Sequence, residues 1–303
     1  MKAIWFERYG GPEVLELRDV PDPEPSEGEV LVEVEAVGVN YRDVYERERD
    51  GYGTDAPGIL GAEAGGTTAD GERLAWANGT GAYAEKVAIP REKTVPVPDG
   101  VDMDVAVAAL LQGMTAHYLS HDSYPIQQGD RVLVHAAAGG VGLLLAQMAK
   151  LRGAYVVATA STDEKRALAL GAGADEAIGY GDVPERQFAA VYDGVGRTTF
   201  EASLKALQPT GRLILYGAAS GEPDPVDARV LAANGSLYLQ RPTLATYTRT
   251  PDLLRERAAA VFGLIADGKL DVRIGHRYPL ADARRALEDL EARRTTGKLL
   301  LIP

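Results

Sequence analysis

The residues best placed to do chemistry lie between 132 and 180. The run VLVHAAAGGVG over 132–142 reads as a short apolar strand that passes into a glycine-rich turn and then a helix. Glycine lets the backbone come close to a pyrophosphate, and a helix N-terminus stabilises the anionic charge. Against the pattern GxGxxG, the first position is Ala137, the second Gly139 and the third Gly142. The alanine departs from the pattern, but the flanking strand and helix are the context that dinucleotide binding needs. Ala138, Gly139, Gly140, Val141 and Gly142 form the expected phosphate cradle. The next strand ends in ATAST over 158–162, where an NAD site would place Asp or Glu on the ribose 2′-hydroxyl. Ser161 and Thr162 stand there instead, followed by Lys165 and Arg166. Hydroxyls and cations suit a 2′-phosphate that a carboxylate would repel, so the pattern predicts NADPH. The two cations can equally be read as the solvated face of a helix.

Composition removes several alternatives. The chain has no cysteine, which excludes disulfides, thiolate catalysis and thiolate-bound zinc. Of His117, His121, His135 and His276, only the first two have helical i, i+4 spacing, and no glutamate follows His117 as in HExxH. Surface or packing roles are expected for them, and no metal site. A net charge of -12 works against nucleic-acid binding. The N-terminal segment lacks the apolar core of a signal peptide, and no apolar run approaches the ~18–20 residues that span a membrane. A cytoplasmic protein is expected. Asparagine occurs only at 40, 78 and 234, and 24 of the 32 basic residues are arginine, a bias that points to a thermophile.

Two kinds of chain position these residues. The 303 residues exceed what one core usually serves. The first ~115 residues read as short strands with turn punctuation. VLVEVEAV over 30–37 alternates apolar and acidic residues as a half-buried strand does, and a strand is expected over 82–89. Helical spacing sets in over 103–119. From 130 onward, short strands over 132–135, 155–159, 189–192, 212–216 and 237–239 alternate with helices such as 140–152 and 163–170. That succession predicts a parallel doubly wound sheet. Helices over 251–267 and 280–293 follow, and 298–302 reads as a strand returning to the first domain. The expected fold is α/β, with a β-rich domain over 1–115 and 268–303 and a Rossmann domain over 116–267.

Several motifs in fixed order identify a family. GGPEVL over 10–15, VGVNYRD over 37–43, PGILGAEAG over 57–65, GAYAE over 81–85, LQGMTA over 111–116, HAAAGGVG over 135–142 and YDGVG over 192–196 resemble the quinone oxidoreductases of the medium-chain dehydrogenase/reductase superfamily along nearly the whole chain. Over 67–80 the chain is shorter than such relatives usually are.

The resemblance implies a GroES-like catalytic domain, a Rossmann domain and a cleft between them. Zinc-dependent relatives carry Cys where Asn40 stands and His where Ala62 stands. An amide and a methyl group cannot replace a thiolate and an imidazole as ligands, so zinc activation of a carbonyl is not expected. Quinones or conjugated enones, which accept hydride without a Lewis acid, become the expected substrates. The resemblance also places Tyr180 near the adenine end beside Lys165, Gly217 and Ser220 on the nicotinamide side, and Leu239 and Arg241 just past the last strand; each is also compatible with ordinary loop chemistry. Asn40 is expected to aim its amide at the reacting region. Tyr45 and Tyr52 follow it, where they would stack on a planar quinone and donate a hydrogen bond, or else pack a surface loop. The expected reaction is hydride transfer from NADPH to a quinone. The rivals are an enone or 2-enoyl thioester reductase and an NADPH-binding protein without turnover. The apolar segment 236–239 at the end of the strand series suggests a sheet edge covered by pairing into a homodimer.

Overall fold

The computed structural model describes residues 1–48 and 53–303. They divide into two compact units, Met1–Leu111 with Thr248–Pro303, and Gln112–Tyr247. The boundaries differ from those expected at 115 and 267. The helix Pro251–Ala266 groups with the first unit, where it packs against the strand Val95–Pro96. Its buried face, Leu254, Ala258, Val261 and Phe262, is what the sequence alone could not assign to a partner.

The first unit holds a three-stranded and a seven-stranded sheet, largely antiparallel. The long strand Glu29–Val39 is its spine and pairs with Glu63–Thr68 and Lys86–Pro90. The predicted strand over 82–89 is regular only from Lys86. Before that, Tyr83 bridges two strands through its backbone, accepting from Ile4 N at 2.8 Å and donating to Leu60 O at 2.8 Å. The terminal strand Lys298–Ile302 does return to this unit, antiparallel to Glu29–Val39, with Leu299 opposite Val39. Phe6, Val32, Val37, Leu60, Trp76, Tyr83 and Leu301 belong to its core.

The second unit is built on a six-stranded parallel sheet. In chain order its strands are Arg131–Val134, Tyr155–Thr159, Glu176–Ile178, Phe188–Asp193, Leu207–Leu215 and Tyr238–Gln240. Numbered one to six, they lie in the order 3-2-1-4-5-6. The order reverses between the first and fourth strands, and ligands of such sheets bind at the carboxyl ends beside that point. Register aligns those ends: Val134 lies opposite Ala158 and Tyr192, Thr159 opposite Ile178, and Asp193 opposite Leu215. Leu133, Val157, Val191, Leu204 and Leu213 fill the core beneath.

Candidate functional site

The glycine-rich turn occupies the carboxyl end of the strand Arg131–Val134, as expected. Ala136 sits at φ 50°, and the turn closes through Gly139 N donating to Ala136 O at 2.9 Å and Ala137 N donating to Thr159 O at 3.0 Å. The helix Gly140–Leu151 starts at Gly139, which gives it no side-chain cap. The glycines here have different duties. A Cβ on Gly142 would lie 2.6 Å from Ala136 O and Ala137 Cα, so this residue lets helix and strand approach each other. A Cβ on Gly140 would run into the Gln112 side chain. A Cβ on Gly139 would meet only Ala136 O at 3.2 Å, so beyond that atom the space before the helix N-terminus is open. Ala138 is buried, and Val141 is half-buried on the first turn of the helix.

Ser161 and Tyr180 are brought together by register. Thr159 pairs with Ile178, so each candidate lies two residues beyond a matched pair on adjacent strands. Ala160 N donates to Ile178 O at 3.2 Å and ties the two ends. Ser161 is exposed; Tyr180 and Lys165 are half-buried. Thr162 caps the helix Asp163–Gly171 by accepting from Lys165 N at 3.2 Å. Arg166 is held in its own turn by Asp163 and by Ala160 O at 3.2 Å.

On the other side of the switch point, the backbone at Gly217 passes so close to Gly194 that a Cβ would lie 2.7 Å from Gly194 O. Three further candidates have contacts within the unit. The Ser220 hydroxyl donates to Val195 O at 2.7 Å and accepts from Thr198 N at 3.1 Å, so it braces the 195–198 loop. Leu239 packs against the sheet core, which a central position in a strand imposes on every second side chain. Arg241 donates to Leu215 O at 3.2 Å and reaches Glu222 Oε1 at 3.3 Å, which secures the strand end.

Beneath these loops lies a polar network between two of the motifs, HAAAGGVG over 135–142 and YDGVG over 192–196, to which their sequence assigned no role. The Asp193 carboxylate is completely buried. It accepts from Val195 N at 2.8 Å, Gly196 N at 3.0 Å, the Thr199 hydroxyl at 2.7 Å and the Ser203 hydroxyl at 2.8 Å. His135, also fully buried, lies 2.8 Å from Thr159 Oγ1 through Nδ1 and 3.1 Å from Ser203 Oγ through Nε2. Burial pushes its imidazole below the ordinary histidine range, against the pull of Asp193. His117 and His121 stack on each other with centroids 4.1 Å apart.

In the first unit, Asn40 was expected to aim its amide at the reacting region. It is 5% exposed, and both amide hydrogens are committed, to Gly38 O at 3.0 Å and Glu63 Oε2 at 2.8 Å. Its Oδ1 accepts from Lys298 Nζ at 2.7 Å. The ammonium of Lys298 also pairs with Glu63, whose Oε1 accepts from Leu111 N at 2.7 Å. The cause of the correction is this buried ion pair: its charges claim every polar atom of the amide. Gly38 makes room for it, since a Cβ there would lie 2.2 Å from Glu63 Oε2. Sequence reasoning missed Lys298 and Glu63; a lysine opening the apolar run KLLLI over 298–302 was the available signal.

One helical turn on, Asp43 accepts from Asn40 N at 2.8 Å and from the Tyr83 hydroxyl at 2.9 Å through Oδ2, while buried Oδ1 has no hydrogen-bond partner among the described residues. Burial, reinforced by the charge of Glu46, raises its carboxyl to about 7. Tyr45 lies on the helix Tyr41–Glu48, half-buried, its ring edge-on to Tyr41 with centroids 5.5 Å apart. Tyr52 lies outside the described residues.

Known proteins resemble the chain along its whole length. Residues 26–99 match the alcohol dehydrogenase GroES-like domain, and 172–301 match the zinc-binding dehydrogenase family. A quinone oxidoreductase of Pseudomonas aeruginosa is 41% identical over 100% of this chain and 99% of its own length. The structure of Escherichia coli quinone oxidoreductase complexed with NADPH superposes with a TM-score of 0.96 at 37% identity, covering 100% of both chains. A 2-haloacrylate reductase of Burkholderia is 33% identical over 99% of this chain and 98% of its own. The chain belongs to the quinone oxidoreductase family of the medium-chain dehydrogenases/reductases.

Proposed function

We propose that the protein transfers hydride from NADPH to a quinone without a metal ion. The observation that carries the reading is the alignment of strand ends in the second unit. It sets the open Gly139 turn, the Ser161 hydroxyl and the Tyr180 ring on neighbouring strands of a Rossmann sheet, with no carboxylate at the position that selects NAD. The open space before Gly139 fits a pyrophosphate, and Ser161, Lys165 and Tyr180 would take the 2′-phosphate. The bound cofactor supplies the hydride; the chain's residues hold and orient it.

Metal independence has its own support in the first unit. Ala62 is a buried methyl group, and the Lys298 ammonium already sits against Asn40 and Glu63. A second cation there would meet its repulsion in a low-dielectric interior. Activity is expected to survive prolonged chelation.

The relationship to a 2-haloacrylate reductase favours one second reading, reduction of an activated enone on the same scaffold. Oxidation of NADPH and NADH, followed in parallel with a panel of quinones and a panel of enoyl thioesters, decides between them. Fast quinone reduction with NADPH preferred is the expected result. Rapid turnover of enoyl thioesters with negligible quinone reduction would move the assignment to the second reading, and equal use of both nucleotides would remove the 2′-phosphate site.

We further propose a homodimer formed through the sixth strand of the parallel sheet. Tyr238–Gln240 is an edge strand, and Tyr238 is 57% exposed beneath the Arg212 guanidinium, 5.3 Å from its ring centre. No described helix is long and apolar enough to cross a membrane, and we place the protein in the cytoplasm.

A further inference from the structure

His135 is a buried titratable group that hydride transfer does not use. Its surroundings fix its chemistry. Ser203 has one hydroxyl hydrogen, and it goes to Asp193 Oδ2 at 2.8 Å, because the carboxylate can only accept. The Ser203 oxygen is therefore an acceptor toward His135, and the contact at 3.1 Å requires the proton on Nε2. With Nε2 protonated in a neutral ring, Nδ1 is an acceptor, and the Thr159 hydroxyl donates to it at 2.8 Å. Burial disfavours the imidazolium. The ring is thus neutral, carries one defined tautomer, and is pinned at both nitrogens.

A ring pinned at two atoms has a fixed plane. Tyr180 lies over it, nearly parallel, with an interplanar angle of 15° and centroids 5.9 Å apart. His135 is completely buried; Tyr180 is half-buried, at the carboxyl end of the third strand. The tyrosine ring thus runs nearly parallel, and offset, to a ring that cannot rotate.

We propose that His135 is a positioning residue for the dinucleotide: pinned as the Nε2–H tautomer between Thr159 and Ser203, it sets the plane of Tyr180 and so shapes the end of the site that takes the 2′-phosphate. The inference rests on the NADPH reading above. It gives the buried Asp193 network a role in that reading, because Asp193 orients the Ser203 hydroxyl that orients the imidazole. It also gives a reason for burying a polar ring immediately past the strand Arg131–Val134.

The test is a double-mutant cycle on the full-length protein, read by NADPH and NADH titration and by 15N NMR of the histidines. His135→Gln keeps a donor toward Ser203 and removes the ring. It is expected to weaken NADPH binding about tenfold and NADH binding much less, and to have no further effect in a Tyr180→Ala background. The wild-type spectrum is expected to show a neutral His135 protonated at Nε2. An equal loss in the Tyr180→Ala background, an equal loss for both nucleotides, or a proton on Nδ1 overturns the proposal. Should His135→Gln fail to fold, Thr159→Val removes the hydrogen bond to Nδ1 at nearly constant volume and is expected to show the same NADPH-specific loss. Wild-type protein that does not bind NADPH overturns the functional reading itself, and that result is known before any variant is made.

Discussion

Each unit buries a carboxylate, and the two solve the problem differently. In the parallel-sheet unit, Asp193 gathers two backbone N–H groups and two hydroxyls, all from residues 195–203. Four donors replace its hydration shell, and no cation is needed. In the β-rich unit, Glu63 accepts one backbone N–H and one amide, and its charge is balanced by the ammonium of Lys298, 235 residues away. The first solution is local and belongs to one loop and the helix that follows it. The second closes only when the last strand of the chain docks against Glu29–Val39. Local donors satisfy a carboxylate wherever the loop folds; a distant cation makes one element's stability conditional on another's.

That difference predicts unequal sensitivity. Lys298→Met leaves Glu63 buried with an uncompensated charge. Breaking a buried pair from one side costs about 3–5 kcal/mol, a fall in melting temperature on the order of 10 °C for a chain of this size. The double variant Lys298→Met/Glu63→Gln is expected to recover a good part of the loss, because it removes the stranded charge as well. Thermal denaturation of the three proteins checks this. A single variant as stable as wild type would mean that the pair does not hold the last strand against Glu29–Val39.

Gly139→Val probes the other unit without touching its buried carboxylate. A Cβ at 139 meets only one backbone oxygen, so the fold is expected to persist by circular dichroism. The branched carbons would stand where a pyrophosphate must approach, and NADPH affinity is expected to fall by roughly 100-fold or more. Gly142→Val is the contrast, since its Cβ would press on backbone atoms and the second unit should misfold. Normal NADPH affinity in folded Gly139→Val would put the phosphates elsewhere.

The same contrast explains what could be read from the sequence. The nucleotide unit is written in short-range patterns: strand, glycine turn and helix over 132–142, then strand ends at regular intervals, so its topology and Ser161 were legible, while Tyr180 was placed beside Lys165 only by the resemblance to relatives. Its limits were those of side-chain direction. The sequence placed Leu239 and Ser220 along the chain but not the direction of their side chains: Leu239 is half-buried with its side chain against the core, and the Ser220 hydroxyl donates to a loop carbonyl. The Asn40–Glu63–Lys298 cluster spans 258 residues, and no local spacing encodes such a meeting. The helix Pro251–Ala266 was ambiguous for a related reason: its apolar face shows that it packs, not on which unit.

The conditional unit should also be the pH-sensitive one. Asp43 has its carboxyl raised to about 7 by burial and then by the charge of Glu46, from about 3.9 in an unfolded chain. Between those values the folded state holds a proton that the unfolded state has released. Stability contributed by the neutral carboxyl is therefore fully present below the unfolded value, and it declines as pH rises toward 7. Glu46, also raised by burial, adds a slope of the same sign. Wild type is expected to melt roughly 5 °C lower at pH 8 than at pH 5, and Asp43→Asn to show a shallower dependence. Identical slopes in the two proteins would mean that Asp43 is ionised in the fold throughout.

The smallest effect is expected at Tyr45. Its ring is held edge-on by Tyr41, a contact that phenylalanine preserves. Hydride transfer to a quinone leaves a hydroquinone anion that can take its proton from water, so a dedicated acid is not demanded of the phenol. Tyr45→Phe should then retain quinone reduction within about threefold, far from the ~10²–10⁴-fold loss that follows removal of an essential acid. Asn40→Ala should lose more, about tenfold, through a different cause. Its amide has both hydrogens engaged with Gly38 and Glu63, so the variant acts by loosening the Lys298–Glu63 pair and the turn that carries Tyr45. The loss should accordingly come with a lower melting temperature, whereas Tyr45→Phe should leave it unchanged. Stopped-flow reduction of a benzoquinone series, with melting curves on the same samples, separates the two. If Tyr45→Phe falls by ~100-fold at unchanged stability, the phenol is the proton donor and the reaction depends on acid catalysis after all.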